Sequence, residues 1–176
     1  NAGAYVRCPI SELSTAHLEH AMAVNYYGSV YAVLAALPSM LSQGSGHIVL
    51  VTSMNGKKGV PPDAPYAAAK FALSGFGEVL RQELRGSGVY VTTVFPGRVD
   101  TPMIETLRVP RISAKISAQS VADSILRAID RRSPEVVIPF LSRGLILANT
   151  VSPRLGDWVV RLFHLEGWDT EPVHDT

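Results

Sequence analysis

The sequence predicts an α/β fold built on a parallel sheet. Three short apolar runs rich in β-branched residues, at 47–53, 89–97 and 135–139, have the pattern of buried strands. Helical patterns at about 66–86 and 117–131 separate them along the chain. Strands that alternate with helices pair in parallel, because each helix returns the chain to the end of the sheet where the previous strand began.

The elements before the second strand follow from local signals. A long helix is predicted over 14–46, with Pro38 bending it near its end and glycines stopping it. The strand 47–53, HIVLVTS, follows directly, and a loop rich in glycine and proline occupies 54–65. We expect the next helix to run from about Tyr66 to Gly86.

The later elements are shorter. The strand 89–97 ends in a Pro-Gly turn, and a polar loop interrupted by prolines fills 98–116. The helix 117–131 places its valine and isoleucines on one stripe, and the strand 135–139 follows.

Composition excludes several classes of protein. The chain has 176 residues, 47% hydrophobic and 18% charged, which suits one globular domain with a real core. The net charge is +1 and no cluster of lysine and arginine is present, so nothing favours nucleic-acid binding. Cys8 is the single cysteine, so the fold does not depend on an oxidising compartment, and no apolar run is long enough to span a membrane. We expect a cytoplasmic protein.

Three polar side chains predict catalytic chemistry. Tyr66 and Lys70 lie four residues apart on one helix face, and Ser53 lies at the tip of a strand, where α/β sheets bind ligands. A free phenol has a pKa of about 10, too high for a base near neutrality. We expect the nearby ammonium to favour the phenolate and lower the pKa of Tyr66.

A family resemblance rests on the order of five motifs. The chain opens with NAG, has Asn25 inside the first helix, places Ser53 thirteen positions before YAAAK (66–70), and continues with PGRVDTPM (96–103). Together they resemble the short-chain dehydrogenase/reductase family, from Asn1 to about Pro139. The resemblance implies a doubly wound, Rossmann-like parallel sheet, of which this chain carries the C-terminal catalytic half.

The resemblance also implies an activity: interconversion of an alcohol with a ketone or aldehyde, using NAD or NADP. Tyr66 would give or take the alcohol proton, and Ser53 would hydrogen-bond the substrate oxygen. Lys70 would also grip the nicotinamide ribose. Asn25 would interrupt its helix locally and hold a water molecule that links the lysine to solvent.

Further cofactor-binding positions are implied by the same motifs. The NAG segment would close over the adenosine side, the Pro-Gly turn would shape the loop, a valine backbone would meet the carboxamide, and a threonine would contact the amide or phosphate region. In this chain they are Asn1, Ala2, Gly3, Pro96, Gly97, Val99 and Thr101.

The glycine-rich pyrophosphate loop and the residue that selects NAD or NADP are absent from these residues. We therefore expect a fragment of a longer enzyme. The alternative is a non-catalytic or truncated relative that acts as a binding or oligomer-forming module. Small residues along the Tyr66 helix, together with the alanines of helix 14–46, predict a homodimer or homotetramer in which these helices pair, although packing on the protein's own sheet would account for about half of them.

The C-terminal segment 140–176 is predicted to be an amphipathic extension on or over a domain formed by 1–139. From Pro153, an apolar stripe has helical spacing: Leu155, Trp158, Val159, Leu162 and Phe163. Three interpretations remain open. The helix caps the sheet edge, or forms with Leu145–Leu147 a lid over the pocket that selects a bulky apolar substrate such as a steroid, retinoid or lipid-derived carbonyl, or makes peripheral membrane contact.

Two smaller clusters have simpler interpretations. Lys57 and Lys58 are expected to lie on a solvated turn, with substrate steering as the alternative. His17 and His20 are one helical turn apart but have no third ligand at suitable spacing, so no metal site is predicted.

Overall fold

A computed structural model of the chain describes residues 2–169. The strands are β1 (Gly46–Val51), β2 (Val89–Pro96), β3 (Leu107–Arg108), β4 (Glu135–Ile138) and β5 (Trp168–Asp169). The helices are α1 (Thr15–Met22), α2 (Gly28–Gln43), α3 (Ala64–Glu83), α4 (Ala118–Asp130), α5 (Ser142–Val151) and α6 (Pro153–Leu162). The strands β1, β2 and β4 form a parallel sheet in that order, and β3 pairs antiparallel with β5. The α/β class with a parallel sheet is confirmed.

Helix α3 packs closely against the sheet. Leu73 of this helix is fully buried and belongs to a core cluster with Leu50 of β1 and Val91 of β2. The closest approach is at Gly77, where a Cβ atom would lie 2.7 Å from Leu50 Cδ1 and from Thr93 Oγ1. A side chain at this position would push the helix away from the sheet that supports the candidate site.

The predicted long helix is interrupted. A π-helical turn over Ala23–Tyr27 separates α1 from α2, and Asn25 lies inside it. The expected local interruption at this asparagine is therefore observed. The expected stop at a glycine is also observed, because α2 ends at Gln43 and Gly44 adopts a left-handed conformation with φ of 64°.

The C-terminal residues form two helices in contact. Gly156 of α6 lies so close to α5 that a Cβ atom would be 2.6 Å from Asn149 Oδ1. Gly156 and Val160 are the buried residues of α6, whereas Leu155, Trp158 and Leu162 are exposed. The apolar stripe is therefore not a core face, and the interpretation that α6 caps the sheet edge stays a prediction. Among the described residues, no helix is both long and apolar enough to cross a membrane.

Candidate active site

The predicted catalytic side chains meet at the carboxyl end of the parallel sheet. Ser53 follows β1 in extended conformation, and its hydroxyl accepts a hydrogen bond from the Asn55 backbone at 3.1 Å. Tyr66 lies in the first turn of α3, where the Ser53 side chain is close enough to influence the pKa of its phenol. Lys70 lies one turn further along, with its Nζ 5.5 Å from the centre of the Tyr66 ring.

Burial dominates the ionisation of Tyr66. Burial raises the pKa of the phenol to about 12. The nearby Ser53 hydroxyl acts in the opposite direction and lowers this pKa, whereas the charge of Asp63 adds to the increase. The expectation that Lys70 brings this pKa below its usual value is therefore wrong for the chain alone. The reason is that moving the phenolate out of water costs more free energy than its interactions with neighbouring groups recover.

Lys70 is also withdrawn from solvent. Its residue is 6% exposed, and its ammonium donates to the Val51 carbonyl at the end of β1 at 3.3 Å. Burial lowers its pKa to about 8. The side chain is thus held at the strand end, beside Tyr66, and is still mainly protonated at neutral pH.

A glycine allows the loop after Ser53 to reach α3. At Gly56, a Cβ atom would lie 2.9 Å from the Lys70 carbonyl oxygen and 2.5 Å from Ser74 Oγ. Only a residue without a side chain lets this loop lie against the turn of α3 that carries Lys70.

Asn25 joins the interrupted helix to the segment that follows the N-terminal NAG motif. Its amide donates to the carbonyl oxygens of Ala4, at 2.9 Å, and Ala21, at 3.0 Å, and its Oδ1 accepts from the Ala4 backbone at 3.2 Å. Gly3 lies close by, since a Cβ atom there would be 3.2 Å from Asn25 Oδ1. The water relay implied for Asn25 stays a prediction. Asn1 lies outside the described residues.

The cofactor loop predicted at 96–101 follows β2 at the same edge. The Gly97 amide donates to the Ile138 carbonyl at 2.6 Å, which fixes the turn against β4. Val99 forms a β-bridge with Ile116, and the Thr101 hydroxyl donates to the Val99 carbonyl at 3.3 Å. The loop is therefore shaped by its own backbone contacts beside the strand that leads to it.

A buried carboxylate beside Tyr66 was missed by sequence reasoning. Asp63 is 1% exposed, and its Oδ2 accepts from the Tyr5 hydroxyl at 2.8 Å and from the Asn55 amide at 2.7 Å. Arg7 Nε lies 3.5 Å from its other oxygen. The ring of Tyr5 meets that of Tyr66 edge to face, with centroids 4.9 Å apart.

An aspartate directly before a helix is usually an N-cap residue, so its position in the sequence does not indicate a second role. Asp63 occupies the N-cap position of α3, but its side chain caps nothing and turns inward.

The chain is similar to known proteins. The family model described as short chain dehydrogenase matches residues 1–111. The chain belongs to the short-chain dehydrogenase family. It is 31% identical over 172 residues to ketoacyl reductase HetN from Nostoc sp., covering 93% of this chain and 60% of that protein. It is 34% identical over 148 residues to dehydrogenase/reductase SDR family protein 7-like from Drosophila melanogaster, covering 78% and 45%.

A solved structure agrees with the fold of this family member. A short-chain dehydrogenase from Burkholderia cenocepacia J2315 in complex with NADP superposes with a TM-score of 0.79 at 26% identity, covering 92% of this chain and 66% of that one. The chain spans about half the length of the curated relatives it matches, from 45% to 60% in those named here.

Two lysines of this short-chain dehydrogenase differ from their prediction. Lys57 is 2.8 Å from Glu135 and Lys58 is 2.5 Å from Asp157, so both form ion pairs and are not simply solvated. Because Asp157 belongs to α6, its pair ties the C-terminal helix to the loop that follows Ser53. The sequence showed two adjacent lysines but not these partners, which lie 78 and 99 residues away.

Two arginines attach the C-terminal segment to the site. Arg98, directly after the Pro-Gly turn, donates to Ser113 Oγ at 2.6 Å and to the Leu165 carbonyl. Arg7 donates to the Glu166 carbonyl at 3.3 Å. The segment beyond α6 is therefore held beside the cofactor loop, although sequence periodicity placed only α6 near it.

An apolar cavity of about 490 Å³ lies beside the first turns of α3. It is lined by residues 8–10, by the loop residues 59–62, and by Ala64 and Ala67 on either side of Tyr66 in the chain.

Proposed function

We propose that the protein is an NAD(P)-dependent oxidoreductase that interconverts an alcohol with a ketone or aldehyde. The observation that carries this proposal is the meeting of Ser53, Tyr66 and Lys70 at the carboxyl end of the parallel sheet. Family membership and the NADP complex of the Burkholderia relative support the choice of cofactor class.

The residues at this edge fit the nicotinamide end of such a cofactor. Among the described residues, the buried ammonium of Lys70 donates to one partner, the Val51 carbonyl, and therefore retains donors for ribose hydroxyls. The loop 96–101 begins at the end of β2, the strand that pairs with β1, and so lies at the same edge of the sheet. When bound, the cofactor supplies or accepts the hydride.

Proton transfer is assigned to Tyr66. With a pKa of about 12 its phenol is protonated at neutral pH, which suits donation to a carbonyl oxygen during reduction. Ser53, whose hydroxyl lies near enough to Tyr66 to lower the pKa of its phenol, would bind the same oxygen. Lys70, protonated at neutral pH, would stabilise the negative charge left on the phenol after donation.

We further propose an apolar substrate. The cavity beside α3 is lined by proline, valine, isoleucine and alanine side chains, and its walls come from the same segments that carry Tyr5, the loop after Ser53 and Tyr66. An apolar wall of this kind supports a hydrophobic carbonyl compound or alcohol over a charged one.

The test is Tyr66→Phe in the full-length protein, assayed with a panel of apolar ketones and alcohols. We expect kcat to fall by about 10²–10⁴, with cofactor affinity, measured by nicotinamide fluorescence, nearly unchanged. Tyr31→Phe, on the exposed face of α2, is the control and should leave kcat unchanged. Wild-type kcat in Tyr66→Phe would reject the assignment, and cofactor binding without turnover of any tested substrate would favour a non-catalytic relative.

We also propose that the protein forms a homodimer or homotetramer through α2 and α3. Helix α2 contains no charged residue and exposes Tyr31 and Leu34, at 64% and 58%. Helix α3 exposes Phe71, at 46%, beside the small exposed residues Ala68 and Gly75. Other small residues of α3, such as Ala69, are buried within the protein. An uncharged apolar face of this kind supports pairing with a second copy.

A further inference from the structure

The helices α5 and α6 leave apolar side chains open to solvent. In α6, Leu155, Trp158 and Leu162 are 41%, 52% and 49% exposed, because the helix rests on the protein through its opposite side. In α5, Leu147 and Val151 are 65% and 71% exposed. Exposed apolar groups this concentrated are unusual in a surface helix pair unless it meets a partner.

Cationic side chains accompany these apolar groups. Arg154 and Arg161 are exposed and lie four residues before and three residues after Trp158, so all three share one side of α6. Arg143 is exposed on α5. Within residues 2–169 none of the three arginines forms an ion pair.

The acidic side chain on this helix pair already forms an ion pair. Asp157 is the single carboxylate in the sequence of α5 and α6, and Lys58 pairs with it at 2.5 Å. The free charge on this helix pair is therefore positive. Its complement is an anionic surface.

The nature of that surface follows from a comparison with α2. Helix α2 also exposes large apolar side chains, but it has no charge and suits a second protein. On α6, tryptophan, leucine and arginine occur together on the open side. That combination is typical of helices that lie in the interface of a lipid bilayer, where tryptophan sits at the headgroup level and arginine meets lipid phosphate and anionic headgroups.

We propose that α5 and α6 dock the protein onto the surface of a bilayer that contains anionic lipids. The Asp157–Lys58 pair connects α6 to the loop after Ser53, so docking brings the membrane close to the candidate active site. An apolar substrate dissolved in the bilayer would then reach the site without crossing bulk water. The docking itself does not depend on the proposed activity.

The chain carries its own reporters for this proposal. It has two tryptophans, Trp158 and Trp168, which are 52% and 51% exposed. We would add phosphatidylcholine vesicles, with and without about 30% phosphatidylserine, to the protein and follow tryptophan emission. A blue shift with the anionic vesicles, reversed in about 1 M salt, is the expected result. Trp168→Phe leaves Trp158 as sole reporter and should retain the shift.

The charge requirement is tested by Arg154→Gln combined with Arg161→Gln. We expect vesicle partitioning to weaken about tenfold or more, since each arginine near an anionic surface contributes severalfold. The control removes the same charge from an exposed region elsewhere, by Arg81→Gln in the last turns of α3 combined with Arg85→Gln just after the helix, and should leave partitioning unchanged. Circular dichroism verifies that both variants fold.

Several outcomes would overturn the proposal. They are no blue shift with anionic vesicles, an equal shift with neutral vesicles, and an equal loss in the control variant. A fourth outcome would show that a second copy of the chain covers this surface. If Leu155→Ser combined with Leu162→Ser lowers the mass measured in solution without lipid, the surface is an interface between protein chains.

Discussion

Tyr5 lies edge-on against Tyr66, with the two ring centres 4.9 Å apart, and its hydroxyl donates to Asp63 at 2.8 Å. Tyr5, which packs against the candidate proton donor Tyr66, is thus held by the carboxylate of Asp63, which is almost completely buried. A buried carboxylate that serves several donors makes each of them dependent on it, because none can turn to water instead.

We predict that Asp63→Ala lowers the free energy of unfolding by about 3–5 kcal/mol. The substitution leaves the Tyr5 hydroxyl and the Asn55 amide buried without their acceptor and removes the carboxylate beside Arg7. Urea denaturation measures the change. Asp157→Ala, which breaks the exposed pair with Lys58, should have almost no effect; equal losses in the two variants would contradict the role given to Asp63.

Lys70 predicts a pH-dependent stability. Its pKa is about 8 in the folded chain and about 10.5 when unfolded, so between these values the unfolded chain binds more protons and stability rises with pH. As pH falls from 10.5 through 8, the folded chain has to bury a charged Lys70, and this contribution to the stability of the folded chain is lost. The shift corresponds to about 3 kcal/mol.

Lys70→Met should therefore flatten stability between pH 8 and 10.5 and stabilise the cofactor-free chain at pH 7, while lowering activity and cofactor affinity. Thermal unfolding across this range is the measurement. Lys115→Met is a suitable control, because its ammonium bonds only to carbonyl oxygens of the 104–105 loop at the surface. An unchanged pH slope in Lys70→Met would show that the ammonium is not desolvated.

Replacing either of two glycines in α3 by alanine should change the free energy of unfolding in opposite directions. At Gly77 the added methyl group would lie 2.7 Å from Leu50 and Thr93, so we expect Gly77→Ala to destabilise by about 1–3 kcal/mol. At Gly75 nothing lies within 4 Å, and Gly75→Ala should stabilise by up to about 1 kcal/mol through helix propensity. Because Gly75 lies on the face proposed to pair with a second copy, the check is chemical denaturation of both substitutions in a monomeric background, where a destabilised Gly75→Ala would contradict the prediction.

The proposed dimer predicts that one charge on α2 separates the subunits. Leu34→Glu should halve the mass measured by light scattering at micromolar concentration, because it places a carboxylate in an apolar interface. Leu126→Glu, on an equally exposed position of α4, should leave the mass unchanged. A monomeric wild-type protein would contradict the proposal.

The elements that the sequence predicts well are those with strong local signals. The strand 89–97 and the helix 117–131 are found within about one residue of their predicted ends. Asn25 indicated an interruption because asparagine is unfavourable inside a helix, and the structure has a π-helical turn there. Ser53 lies at a strand end, and Tyr66 and Lys70 lie one turn apart on a helix, as the sequence predicts, because both are local features; their catalytic roles stay a prediction.

The sequence does not predict what depends on distant partners. Periodicity shows that α6 is amphipathic but not which side it buries, and the expected stripe proved to be the open side. The pKa of Tyr66 depends on how deeply the folded chain buries it, which a four-residue spacing to Lys70 cannot show. Asp63 was overlooked because its partners Tyr5 and Arg7 lie more than fifty residues away.

The contacts of Asp63 limit how this chain can be recombined with its relatives. A chimera that receives residues 53–70 of this protein gains Asp63 and Asn55, but it keeps its own residues where Tyr5 and Arg7 should be. Where those residues are not a tyrosine and an arginine, the transplanted carboxylate would be buried without two of its partners, at a cost of several kcal/mol. Residues 4–8 and 53–70 therefore form one exchangeable unit, although 44 residues separate them in the sequence.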